Sequence, residues 1–131
     1  MKDKVKASCP GINKSRILNV VNSVLPKSKA VRKFGPVFVS PQKMRQLNKK
    51  YRDQDKSTNV LSFEEGDVVL CPKVIETEAK KYGFTQKNWM TRLVVHGILH
   101  LAGYDHSTRK GTLRMERVES VIARRLGDGN V

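Results

Sequence analysis

His96-Gly97-Ile98-Leu99-His100-Leu101-Ala102-Gly103-Tyr104-Asp105-His106 contains all three histidines of the chain. The gap of four puts His96 and His100 on one helix face, one turn apart, so both rings reach the same point. Gly103 adopts positive φ without steric cost and can end that helix. The chain then turns and brings His106 back toward the first two rings. Three imidazoles at this spacing suit one tetrahedral zinc ion with its fourth position open, which marks a catalytic rather than a structural site. A lone histidine on an apolar face is usually a satisfied core residue, but three together with none elsewhere are not explained that way. His96, His100 and His106 are therefore the expected ligands of one Zn2+ ion at the end of a late helix.

Metzincin peptidases use the same spacing, H-E-x-x-H-x-x-G-x-x-H, with a general-base glutamate directly after the first histidine. Gly97 stands at that position here. The metal-holding pattern is present, while the group that activates water for peptide cleavage is absent from its usual place. The pattern points to a metal hydrolase that is not a metzincin.

Periodicity organises the rest of the chain around this segment. Thr85 caps the helix that carries Trp89, Leu93, Val94 and the first two histidines and runs through Ala102. After the turn, Ser107 or Thr108 caps a last helix to about Leu126, with Val118, Val121, Ile122 and Leu126 inward and Gly127 as its stop. Upstream, Ile17, Leu18, Val21, Val24 and Leu25 make one apolar stripe on a helix over residues 13–25, stopped by Pro26. A basic link, residues 27–33, leads to a strand at residues 37–39. Ser40-Pro41 opens a helix to about Tyr51, with Met44, Leu47 and Tyr51 inward. Residues 60–63 and 67–71 read as two strands joined by a tight Glu64-Glu65-Gly66 turn. Pro72 starts a helix through Tyr82, closed by Gly83. Residues 4–7 read as a short first strand, and residues 128–131 as a frayed tail. The expected fold is one small α+β domain spanning residues 1–131, with a mixed sheet of about four strands and about five packed helices.

Lys and Arg number 26 against 12 Asp and Glu, a net charge of +14 over 131 residues. Such a field favours polyanions, nucleic acid foremost. Hydrophobic residues are 38% of the chain and aromatics 6%, enough for one modest, mostly aliphatic core. No run of 18 apolar residues suggests a membrane span, and the basic N-terminus lacks the apolar stretch of a secretory signal. Cys9 and Cys71 lack CxxC spacing and read as reduced thiols of a cytoplasmic protein.

Two segments resemble one family. The histidine stretch matches H-G-x-L-H-L-x-G-Y-D-H, the signature of the YbeY family of metal-dependent endoribonucleases, at every fixed position, and is followed by Arg114-Met115-Glu116. Upstream, Leu47-Asn48-Lys49-Lys50-Tyr51-Arg52 and Thr58-Asn59-Val60-Leu61-Ser62-Phe63 resemble the family's L-N-x-x-Y-R and T-[DN]-V-L-S-F blocks. Gly66-Asp67-Val68-Val69-Leu70 resembles its G-D-I-V-I strand. The similarity covers roughly residues 37–122. The chain departs from the pattern at Ser57, where the family usually has proline, and in the short Glu64-Glu65 loop. The resemblance implies zinc binding by His96, His100 and His106, and contact between Arg52 and the scissile phosphate. It implies endonucleolytic cleavage of single-stranded RNA in ribosomal RNA maturation, especially at the 3′ end of 16S rRNA, and in ribosome quality control. Small-subunit or assembly-factor contacts belong to the same implication.

Arg52 taken alone reads as a solvated cation at a helix end. The resemblance reverses that, because a guanidinium holds phosphate bidentately and stabilises charge during transfer. Asp105 either orients a histidine or caps the turn. Glu116 reads as a solvated helix carboxylate more than as a proton carrier, Tyr104 as packing, and Trp89 as core. The alternatives to a zinc endoribonuclease are a zinc metallopeptidase-like hydrolase and a non-catalytic ribosome- or RNA-binding protein with structural zinc.

Overall fold

The computed structural model describes residues 12–127. Their elements run α1 (Lys14–Val24), a 3₁₀ turn (Lys27–Lys29), β1 (Gly35–Phe38), α2 (Pro41–Arg52), β2 (Val60–Ser62), β3 (Asp67–Leu70), α3 (Pro72–Tyr82), α4 (Gln86–Leu101) and α5 (Arg109–Arg125). The expected strand at residues 4–7, Cys9 and the expected tail at 128–131 lie outside the described residues. Among those described the sheet has three strands rather than four, in the order β1-β3-β2. β1 runs parallel to β3 and β2 antiparallel, so the sheet is mixed.

β3 is the centre of the sheet, and its apolar run Val68, Val69 and Leu70 is fully buried. Successive strand side chains point to opposite faces. Val68 and Leu70 therefore join the larger core with Ile17 and Val21 of α1, Val94 and Ile98 of α4, and Ile122 of α5. Val69 joins Val37, Leu61, Met44 and Leu47 in the smaller core under α2. Helices thus cover both faces, and burial on both faces is why β3 lacks a polar alternation.

The expected caps appear at α2, α4 and α5, and the structure adds one at α1. Asn13, Ser40, Thr85 and Thr108 each accept from the backbone N–H three residues on. Gly83 closes α3 at φ 80°. Two local expectations fail. Tyr51 is not inward; it is 48% exposed, with its ring edge against Phe63 at 5.2 Å between centroids. Asn48 takes the buried place instead at 4% exposure, and its Nδ2 donates to the Lys56 carbonyl at 2.9 Å. The strands also start and stop a residue or two away from the sequence limits, because β1 pairs from Gly35 to match Asp67. Cys71 is a free, buried thiol. None of the helices among the described residues is long and apolar enough to cross a membrane.

Candidate metal centre and cleft

α4 is the element that fixes the histidines. Met90, Leu93, Val94, Val95, Ile98 and Leu99 are buried, so the helix is held from several sides and only a narrow strip, including His96 and His100, reaches the surface. Its end is built as the glycine requires. The Gly103 N–H donates to the His100 carbonyl, Tyr104 N–H reaches back to the Leu99 carbonyl, both at 3.0 Å, and Gly103 sits at φ 97°. Asp105 then accepts from the Ser107 N–H at 3.1 Å and the Ser107 hydroxyl at 2.8 Å. These two bonds hold the Asp105 carboxyl below its ordinary range, helped by His106 and His100. The carboxylate therefore shapes the turn and is not a partner of a histidine ring.

The turn brings the three imidazoles together. Ring centroids are 4.7 Å apart for His96 and His100, 5.2 Å for His100 and His106, and 5.7 Å for His96 and His106. One ligand atom from each lies within 4.8 Å of the others. His96 Nε2 and His100 Nε2 are 3.1 Å apart. Two nitrogens bound tetrahedrally at zinc distances would sit about 3.3 Å apart, so this pair fits one such ion, with the His106 ligand atom within 4.8 Å of both. Burial, then the charges of His96 and His106, push the His100 pKa down, which favours the neutral form that a metal requires.

A carboxylate absent from the sequence-level candidates completes the histidine side. Glu119 Oε1 on α5 lies 3.2 Å from His96 Nδ1, with both side chains only about a quarter exposed (29% and 26%). A carboxylate only accepts, so the shared proton belongs to Nδ1, and the Nε2 lone pair faces the other rings. His100 in turn hydrogen-bonds the Tyr104 backbone. No local motif pointed to Glu119, which lies 23 residues from His96; its one sequence signal is helical spacing beside the inward Met115 and Ile122. Glu116 is exposed and lines a shallow groove beside His96 and His106. Trp89 packs between Tyr82 and Phe84 and donates Nε1–H to Glu78 at 3.0 Å, a structural role.

Gly97 has its own reason. It is buried, and a Cβ there would stand 2.7 Å from Val68 Cγ1 and 3.0 Å from Ser62 Oγ. Its carbonyl accepts from the Ser62 hydroxyl at 2.9 Å. α4 thus lies directly against β2 and β3, and the position that carries the base in metzincins faces the sheet instead of the cleft.

The opposite wall is the end of α2 and the edge strand β2. α2 stops at Arg52 because Asp53 turns left-handed at φ 55°, donating its N–H to the Asn48 carbonyl. Arg52 then lies back along β2, with Nη2 donating to the Ser62 carbonyl at 2.9 Å and Nη1 to the Tyr51 carbonyl at 3.1 Å. Its guanidinium stacks 5.4 Å from the Phe63 ring centre. Two of its five donors are used, which leaves three for a ligand. Arg52, Ser62, His96, His100 and His106 line a single cleft of 890 Å³. Ser57, the departure from the family's proline, donates its hydroxyl to the Pro41 carbonyl at 2.7 Å and ties the approach to β2 onto the start of α2.

An α+β domain whose helix and turn converge three imidazoles opposite an arginine defines a class: a histidine-site protein able to hold one metal ion beside a cation shaped for phosphate. The model of the family described as endoribonuclease YbeY matches residues 6–127. An endoribonuclease YbeY of Buchnera aphidicola is 39% identical over 113 residues, 78% of this chain and 72% of that protein. Another from Bartonella quintana is 32% identical over 124 residues, 85% of this chain and 78% of its own length. A solution structure of a Thermotoga maritima protein superposes with a TM-score of 0.53 at 25% identity, covering 88% of this chain and 87% of that one. The chain belongs to the endoribonuclease YbeY family.

Proposed function

We propose that this protein is a zinc-dependent endoribonuclease that cuts single-stranded RNA. Its work is the maturation of ribosomal RNA, at the 3′ end of the small-subunit RNA, and ribosome quality control. It acts in the cytoplasm, in contact with the small subunit or an assembly factor. One observation carries the reading: three converging imidazoles and the partly free Arg52 guanidinium face one cleft. The names of the relatives and the +14 charge support RNA as the polyanion.

His96, His100 and His106 would hold the ion, with Glu119 orienting His96 and the Tyr104 backbone orienting His100. When bound, zinc supplies Lewis acidity to a phosphoryl oxygen or a lowered pKa to water. Arg52 receives the scissile phosphate on its remaining donors and stabilises the charge that builds on it. The Ser62 carbonyl and the Phe63 ring hold the guanidinium in place before substrate arrives, so little order has to be created on binding. The helix face beside the histidines supplies no carboxylate base at Gly97, which sets the peptidase alternative aside.

The test incubates protein of verified metal content with single-stranded RNA, structured ribosomal RNA and casein. His100→Ala and chelator-stripped wild type serve as controls. RNA cleavage that disappears in both controls and returns on adding zinc is expected. Full activity in metal-free protein, or equal cleavage by His100→Ala, overturns the reading. Cleavage of casein would restore the peptidase.

A further inference from the structure

Beyond the cleft lies a second concavity, of 340 Å³, with Lys29, Lys110 and Arg114 in its wall together with Tyr104 and Asp105. Gly103 belongs to the wall of both, so the two recesses meet at the turn that presents His106. The three cations come from separate parts of the chain. Lys29 is at the end of the 3₁₀ turn, and Lys110 and Arg114 lie one turn apart on α5. No salt bridge to any of the three is found among the described residues. The one carboxylate in the wall, Asp105, has Oδ1 engaged by the Ser107 N–H and hydroxyl. The first turn of α5 contains no acidic residue to neutralise them.

The position of Lys29 is built. Asn22 of α1 clamps the basic link at Val31, donating Nδ2–H to its carbonyl at 2.7 Å and accepting its N–H at 2.9 Å. Lys29 then lies with Nζ 5.2 Å from the centre of the Tyr104 ring, beside Gly103. The ammonium thus lies at a ring of the histidine turn, next to the glycine that lines both recesses. The proposed cleavage uses none of these side chains.

We infer that this basic recess is a phosphate subsite for the same RNA strand that the histidine cleft engages. It takes a backbone phosphate on one side of the scissile one and does so without reading the base. The inference rests on the endoribonuclease reading. Lysine and arginine neutralising phosphates release counterions, so each engaged phosphate adds to the salt dependence of binding. A strand long enough to pass Gly103 gains the subsite, and one confined to the cleft does not.

Binding is measured by fluorescence anisotropy across a salt series, in the His100→Ala background so that turnover plays no part. The probes are a dinucleotide and a dodecanucleotide of single-stranded RNA. The variant Lys29→Glu/Lys110→Glu/Arg114→Glu is set against Lys73→Glu/Lys87→Glu/Arg124→Glu, which makes the same charge change on other parts of the surface. The recess variant should weaken dodecanucleotide binding by about 10-fold or more, and flatten its log–log salt slope by about 0.7 as the one phosphate contact is lost. The dinucleotide should respond to both triple variants alike. Lys110→Ala alone, a milder change, should flatten the slope by less than the triple variant does. Equal losses and equal slopes for the two triple variants overturn the subsite. Competition by inorganic phosphate with no dependence on RNA length overturns it too, in favour of a free-anion site. No RNA binding at either length in the parent would instead overturn the endoribonuclease reading beneath it.

Discussion

The two walls of the cleft are made differently. The histidine wall is the end of α4, a helix buried on several sides, with its last turn locked by Gly103 and its first ligand backed by Glu119. The arginine wall is exposed. Arg52 is the last residue of an amphipathic helix and is held by two backbone carbonyls and one ring face. A metal site tolerates little displacement of its donors, so it is set in the core. A phosphate ligand must meet a mobile chain, so it sits at the surface with donors to spare.

Arg52→Lys should break the comparison most sharply. The charge stays, but the fork that reaches Ser62 and a phosphate together is lost. RNA cleavage should fall by about 10²-fold or more, with metal content by elemental analysis unchanged. Near-normal turnover would remove Arg52 from the site. Glu119→Ala should act on the opposite wall. Metal affinity, read by chelator competition, should drop about 10–100-fold, and binding of RNA to the metal-free protein should hardly change. If metal affinity is kept, the contact to His96 is only packing.

Gly97→Ala tests whether the histidine wall owes its rigidity to close approach. The added Cβ meets Val68 Cγ1 at 2.7 Å, so α4 must move off the sheet. Thermal or denaturant unfolding should show a loss of about 1–3 kcal/mol, with a change in metal affinity, whereas Tyr51→Ala on the exposed wall should cost less. Equal stability of Gly97→Ala and wild type would mean that the helix yields easily.

The smallest expected effect is with pH. The folded state lowers the His100 pKa, first by burial and then through His96 and His106. The unfolded chain therefore takes up the proton first as the pH falls. Metal-free protein should be stable above about pH 6.5 and lose part of that stability as the pH drops through the unfolded value toward the lower folded one. His100→Ala should flatten this part of the melting-temperature profile; an unchanged profile would place the titration elsewhere.

Much of this molecule was legible in its residues. Ser40 and Thr85 announce their helices because a cap acts on an N–H three residues away. The five helices and the three strands found follow from local periodicity, although one strand fewer is found among the described residues than expected. Tyr51 was misjudged because its spacing suits an inward position, while Asn48, bonded to Lys56, takes the buried place.

By itself the sequence determined the meeting of the three histidines. A gap of four on a helix and a glycine that permits one tight return are local geometry, and few other conformations satisfy them. Only the tertiary structure decided what surrounds them. Glu119 reaches His96 from another helix, Gly97 faces the sheet, Arg52 rests on Ser62, and Lys29 lies at Tyr104. Each of these depends on how distant segments pack around one core, and short-range spacing carries no record of that packing.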